Sequence, residues 1–499
     1  MRRFAIFLVL FTLIGGTFRC TAQPETSPQP LAAMLKNAPD DTSRFWILHQ
    51  AHTQALATHE TLSYQGIDTI RLAIPQNAPS IPIGDNNDFH HVVILVTNNA
   101  HGMFLFSHIC PLEEIPVPDI QTLNRAIDSG NYAHTPLADD SWLIEITDST
   151  PWIGQRAGHA YGHFRKELFL LHDGRSVQRP AMPFSGSTSV PHLRGRRLNG
   201  DTSFVFQNIT LVRDSSSTCR TYLLDAENIC HAILRDISVL TPPNNFVEDC
   251  AIKVYNCADL LLDSLSILGS YSRHDHSGYG ILLDNIHLTH VRRLYARTPW
   301  GVFGTNNLHT TLIEDSDFDR FDIHCYGRDV TFLRCRQQDS YNQFSSLHGT
   351  LFFDSCTFSN FTPVLIEDSY NAYPHFQILM RNCTWSLTPE RHVFLSAGQL
   401  NNLPAIRPEL SEKCLPDIRL INLTILSPSG LRPILIHYGG RPNRQPIHGL
   451  SEIFISHTAS PANLSFSLSD QHLQLLSPAN IVILNHSSNT LLEKKISHF

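Results

Sequence analysis

From about residue 64 onward, apolar and polar residues alternate in short runs instead of following a helical period. "TIRLAIP", "HHVVILVTNN", "ELFLLHDG" and "FVFQNITLV" are β-rich runs punctuated by Asn, Asp, Gly and Pro. Ahead of them, residues 31–36 and 45–57 carry helix formers. The β-rich runs repeat. "FQNITL", "LRDISV", "LDSLSI", "VRRLYA", "EDSDF", "LRCRQ", "DSCTF", "RNCTW" and "INLTI" align with one inward residue each: Ile209, Ile237, Leu265, Leu294, Ser316, Cys335, Cys356, Cys383 and Leu423. Strands recurring at an irregular period of roughly 20–30 residues, with no helices between them, predict a β-solenoid. One winding cannot bury its apolar face alone; stacked windings build a continuous core.

This stacking accounts for the cysteines. Parallel strands lie about 4.8 Å apart, so Cys335, Cys356 and Cys383 form an internal ladder of small apolar side chains, with no need for disulfides. "NIT", "NFT", "NCT" and "NLT" match glycosylation sequons, but their recurrence at equivalent strand positions reports strand composition.

A second strand recurs as "AIKVYNC", "GILLDNI", "GVFGTNN", "DIHCYGR" and "SSLHGT". With Ile252, Ile281, Val302, Ile323 and Leu347 inward, one outward column reads Lys253, Leu282, Phe303, His324 and His348. The next reads Tyr255, Asp284, Thr305, Tyr326 and Thr350. His324 and His348 are thereby expected one rung apart on an exposed sheet, with Arg320, Asp322 and Tyr326 beside them.

The 499 residues carry a formal charge of −8, with 42% hydrophobic residues and 28 histidines, and no basic excess that would suit nucleic acid. Residues 1–22 read as an export signal: two arginines, an apolar run too short to span a bilayer, then small residues. A lipoprotein reading would make Cys20 the anchor. No other run is long enough for a membrane span. Residues 23–63 are expected to form an N-terminal extension, 64–430 the solenoid and 431–499 closing coils. The expected fold class is all-β, a right-handed parallel β-helix with a short N-terminal helical segment, secreted, periplasmic or on the cell surface.

A signal peptide followed by an irregular solenoid with Asn, Ser and Cys ladders resembles the pectin-lyase-like parallel β-helix proteins. Within them, glycosaminoglycan lyases of polysaccharide lyase family 29 are a candidate relative. The resemblance covers residues 64–430. It implies a groove over one exposed sheet and an acidic polysaccharide as partner, with cleavage of a uronic-acid-containing glycan such as chondroitin or dermatan sulfate by β-elimination.

That chemistry needs a base, an acid and positive groups or amides for the carboxylate. His324 or Lys253 fits the base, Tyr326 or His348 the acid, and Arg320 and Arg297 fit bidentate carboxylate contacts. Asp322 would orient the imidazole. Asn306 and Asn307 would bind the carboxylate, Trp300 would stack on a sugar, and Tyr255 and Glu367 would line the groove. His274, Asp275 and His276 lie in a polar loop without a third metal ligand. No cofactor is expected; calcium stays open, without a motif. A glycoside hydrolase would instead need paired carboxylates, drawn from Asp315, Asp317, Asp319, Asp322, Glu367 and Asp368. A non-enzymatic glycan-binding solenoid is the third reading.

Overall fold

Asn, Asp and other residues with a left-handed backbone fall into columns that mark the corners of a coil. Asn228, His231 and Asp236 have positive φ, as do Asn256, Asp259 and Ser264, then Asn285, Leu288 and Arg293, then Asn307, Thr310 and Asp315, then Tyr326, Asp329 and Arg334. The spacing is three residues and then five in each of these five coils. Asn and Asp tolerate this conformation best, and the first column adds hydrogen bonds between coils. Asn256 Nδ2 donates to Asn228 Oδ1 at 2.8 Å, and Asn285 Nδ2 to Asn256 Oδ1 at 2.6 Å.

The computed structural model describes residues 30–97, 104–116, 119–148, 165–176, 180, 192–198, 203–213, 222–241, 250–269, 278–298, 300–345, 347–366, 375–397, 416–426, 431, 434–438, 453–456, 465–467, 481–485 and 490–492. The expected export signal, Cys20, the His274–His276 loop and Glu367 lie outside them. Strands pair in parallel from coil to coil in a 27-stranded sheet, giving a parallel β-helix. Connections between parallel strands are right-handed. Its only antiparallel pair among the described residues is Ile481–Asn485 with Thr490–Leu492.

The predicted inward ladder forms as read. Ile209 pairs with Ile237 and Ile237 with Leu265; beyond that, the residues just after each ladder position, Ser266, Tyr295, Asp317, Arg336, Thr357, Thr384 and Thr424, align in turn. All nine ladder residues are buried. Cys335, Cys356 and Cys383 are free thiols, and each donates to a backbone carbonyl, of Ile313, Phe332 and Arg381 respectively. Stacking at the rung spacing also orders the aromatic core: Phe332 and Phe353 lie 4.9 Å apart and nearly parallel.

Helices Leu31–Asn37 and Asp41–Thr58 cover the first coils. Asp40 caps the second by accepting from Ser43 N at 2.6 Å, and Phe45 and Leu48 enter the solenoid core.

Within the span expected to be uninterrupted solenoid, the structure holds a separate layer. Strands Glu113–Glu114, Ser141–Asp148, Arg165–His172 and His192–Leu198 form an antiparallel sheet accompanied by helix Ile120–Ser129. One core of this layer gathers Ile127, Leu137, Ile144 and Phe169. Another packs Leu143, Leu168 and Leu170 onto Cys230 and Ala258 of the solenoid. Residues 165–172 supply one of its strands, although "ELFLLHDG" reads like any solenoid strand.

Candidate active site

The face after each return segment departs from the expected phase at its third coil. Ile281 pairs with Phe303, and Phe303 with Phe321. Phe303, not Val302, therefore takes Ile281's inward place, and both are fully buried. The outward column becomes Asp225, Lys253, Leu282, Gly304, Asp322 and Gln343. Apolar character could not reveal the phase, because Val302 and Phe303 are adjacent and both leave water.

A bulge then adds one residue to the next strand. Thr305 pairs with Ile323, but Asn306 pairs with Cys325, leaving His324 as the extra residue. Bulges re-aim side chains and bend the strand locally. Here Ile323 and Cys325 are buried while His324 keeps a partly exposed ring.

His324 belongs to a connected group. The Tyr279 hydroxyl lies 2.7 Å from Asp322 Oδ2 and 2.7 Å from His324 Nε2. Arg320 holds Asp322 through two contacts, Nε to Oδ1 at 2.7 Å and Nη2 to Oδ2 at 2.6 Å, and donates to Gln343 Oε1 at 3.0 Å. The Arg320 guanidinium lies 4.3 Å from the Trp300 ring centroid and 4.2 Å from that of Tyr341, an arrangement that favours a planar cation. Tyr279 reaches this group across Gly304: a Cβ there would come within 2.5 Å of the Tyr279 ring. Glycine at this one outward position clears the path.

The charges are ordered accordingly. Burial pushes the Asp322 carboxyl up, but Arg320 and His324 outweigh it and hold the pKa below the ordinary range. Burial, then the Asp322 carboxylate, push the Tyr279 hydroxyl far above its ordinary value. Arg320 is raised: burial opposes its charge, and Asp322 more than compensates. Asp322 is thus an acceptor and Tyr279 a permanent O–H donor. With that hydrogen on Asp322, the Tyr279 oxygen is available to accept from a His324 Nε2–H, the tautomer that carries the imidazole lone pair on Nδ1.

The expected His324–His348 pair does not form. His348 pairs with Arg328, beyond the corner at Tyr326. It joins another column: Ala258, His287, His309, Arg328 and His348. Tyr326 is itself a buried corner residue, its ring 5.8 Å from His309 and 5.6 Å from His348. The slip of phase and the bulge together separate the two histidines. The column of His348 runs beneath the antiparallel layer, where His287 and His309 stack at 4.9 Å and His309 Nε2 lies 3.6 Å from buried Glu167.

The other expected groups are distributed as follows. Arg297 lies on the ladder face, bound to Asp317 at 2.5 Å, not beside Asp322. Asn307 is a corner residue, its Nδ2 3.5 Å from Asp284 Oδ1, and Asn306 sits opposite Asp284 at the bulge. Lys253 is bound by Glu227 at 2.6 Å and Asp225 at 3.1 Å. These carboxylates more than offset burial and raise its pKa, which removes it as a base at neutral pH. Tyr255 accepts from Lys166 Nζ at 2.7 Å and donates to Glu145 Oε2 at 3.3 Å, both on the antiparallel layer. Trp300 packs on Arg320. Tyr279 and Gly304 escaped the sequence reading. Tyr279 stands just after a polar loop, and only the register shows its ring crossing Gly304.

Among the described residues, no three His, Cys, Asp or Glu side chains converge as a metal-ligand set, and no helix is long and apolar enough to cross a membrane.

No protein-family model and no curated protein matches the chain. In structure it is similar to the tailspike protein gp49 from Pseudomonas phage LKA1, with 13% identity, covering 85% of this chain and 74% of that one at a TM-score of 0.47. It is also similar to the Pseudomonas phage phi297 tailspike gp61, with 11% identity, 85% and 77% coverage and a TM-score of 0.41. A third similar structure is the gp54 tailspike of Acinetobacter baumannii bacteriophage AP22 in complex with A. baumannii capsular saccharide, with 10% identity, 82% and 76% coverage and a TM-score of 0.35.

Proposed function

We propose that the protein is an exported polysaccharide lyase that cleaves a uronic-acid-containing glycan by β-elimination, with His324 as its catalytic residue. One observation carries this reading: the Tyr279 hydroxyl sits 2.7 Å from both Asp322 and His324 Nε2. Arg320 orients Asp322, Asp322 fixes the Tyr279 proton, and Tyr279 fixes the tautomer that gives His324 Nδ1 a lone pair.

In the reaction, Nδ1 takes the proton from the sugar carbon beside the uronate carboxylate. The electron pair forms the new C4–C5 double bond as the C4–O4 bond breaks. The imidazolium, 3.7 Å from Asp322 through Nε2, then returns that proton to the departing O4. One imidazole acts as base and then acid, so a second histidine is not required. Tyr279, Asp322 and Arg320 are positioning residues.

A hydrolase reading draws on a different group. Burial pushes the Asp319 carboxyl up to about 6, above the usual carboxylate range, with smaller pushes in the same direction from Asp339 and then Asp317. A carboxyl raised in this way, with a second carboxyl close by, is the kind of pair that acid catalysis of glycoside cleavage draws on.

A panel of uronic-acid glycans followed by ultraviolet absorbance separates the two, since elimination creates a conjugated unsaturated acid and hydrolysis does not. The expected result is an ultraviolet-absorbing product, lost by about 10²-fold or more in His324→Ala and Asp322→Asn, with His348→Ala near wild type. Reducing ends released without absorbance, or His324→Ala at wild-type rate, overturns the proposal.

A further inference from the structure

The elimination is helped by a cation facing the substrate carboxylate, yet the arginines expected to supply it are already committed. Arg320 is bound to Asp322 and Arg297 to Asp317. A third guanidinium in this region is different. Arg391 lies 5.8 Å from the Tyr341 ring centroid, the same ring that stacks on Arg320. It is partly exposed and makes no ion pair among the described residues, not even with neighbouring Glu390, which points to solvent.

Its backbone is held in place. Arg391 N donates to Thr388 O at 3.1 Å, Thr388 N donates to Arg391 O at 3.2 Å, and Thr388 Oγ1 donates to Asn360 Oδ1 at 2.7 Å. The segment lies two coils beyond Tyr341, whose next neighbour along the axis is the small Thr362. The result is a row along the solenoid axis: Trp300, Arg320, Tyr341, Arg391. Three of these close on one another, and the fourth keeps an uncompensated charge at the edge of an aromatic surface.

We infer that Arg391 is a specificity-determining residue that binds an anionic substituent, carboxylate or sulfate ester, on a sugar resting against Tyr341. This rests on the glycan-binding reading of the face and names the charge that face selects. Guanidinium matches either anion by paired N–H donors, and its 5.8 Å approach to the Tyr341 ring brings the charge to the coil next to that of His324.

The test uses the full chain in a His324→Ala background, so that ligands are bound but not turned over. Titration calorimetry compares oligosaccharides of an unsulfated uronic-acid glycan, a sulfated one, its desulfated form and a carboxyl-reduced form. Arg391→Gln is expected to weaken acidic ligands by about 10- to 100-fold and leave the form lacking the recognised anion unchanged, with Arg391→Lys intermediate. Loss only with the sulfated ligand assigns sulfate; loss with the unsulfated uronate assigns carboxylate. Unchanged affinity in Arg391→Gln, equal loss for acidic and neutral forms, or no binding of any acidic glycan overturns the assignment. The elimination reading fails separately: an Arg391-dependent affinity without unsaturated product leaves the anion site standing, and unsaturated product at wild-type efficiency in Arg391→Gln removes the site alone.

Discussion

The ladder face and the face carrying His324 are built from the same windings and differ in what sets each residue. Along the ladder, from Ile209 to Leu423, every position points into the bore and stacks on the next in constant register. Across the corners, the other face places a tyrosine over a glycine and inserts one residue at a bulge. A bore tolerates only shape and apolarity. An outer face is free to break its own rhythm, and the broken place is where an imidazole, a carboxylate and a hydroxyl converge.

Disturbing the regular face should cost stability. Leu265→Ala removes a buried rung of the ladder and is expected to destabilise the fold by about 2–5 kcal/mol, measured by urea unfolding. Product formation by the molecules that remain folded should persist. An undiminished unfolding midpoint would mean that the ladder is not the structural spine.

Disturbing the irregular face should do the reverse. Gly304→Ala forces the Tyr279 ring to move, since the added carbon would meet it at 2.5 Å. The expected effect is a fall in turnover of about 10- to 100-fold, because a small misplacement of a positioned group is costly, with the unfolding curve little changed. Turnover equal to wild type would show that Tyr279 does not position His324.

The smallest effect tests the seam with the antiparallel layer. His287 is buried against His309 and Phe169, and burial, aided by His309, pushes its pKa down to about 3 from 6.5. A depressed folded-state value gives stability that is full above 6.5 and is lost as pH falls toward 3. Glu167, with His309 and Arg328, completes the charged surroundings. His287→Leu removes this loss. Between pH 7 and pH 5, wild type should therefore lose about 2 kcal/mol more than the variant in urea unfolding. Parallel pH profiles would show that His287 is not held neutral.

What could be read from residues alone follows the same division. The ladder was legible because Ile, Leu and Cys recur where nothing else fits, and the free thiols followed from it. Lys253 beside Leu282, and Tyr255 beside Asp284, were also placed correctly, since the first two coils keep their phase. The phase was lost at Val302–Phe303, where adjacent apolar residues hide which one faces in. The bulge at His324 then shifted the alignment again, so His348 was assigned to the wrong side of Tyr326. The antiparallel layer was missed because its strands carry the same alternation as solenoid strands; pairing direction is not written in composition. Arg320 and Asp322 were correctly picked as neighbours, and the guanidinium is bound to the carboxylate.

The corners recur at offsets of three and five in coil after coil, which leaves a single elastic stretch per winding: the return from one turn to the next. A single extra residue elsewhere is taken up locally, as at the His324 bulge, and the ladder beyond it keeps its register. A chain built this way can change length in its outer segments while the stacked spine beneath stays in step.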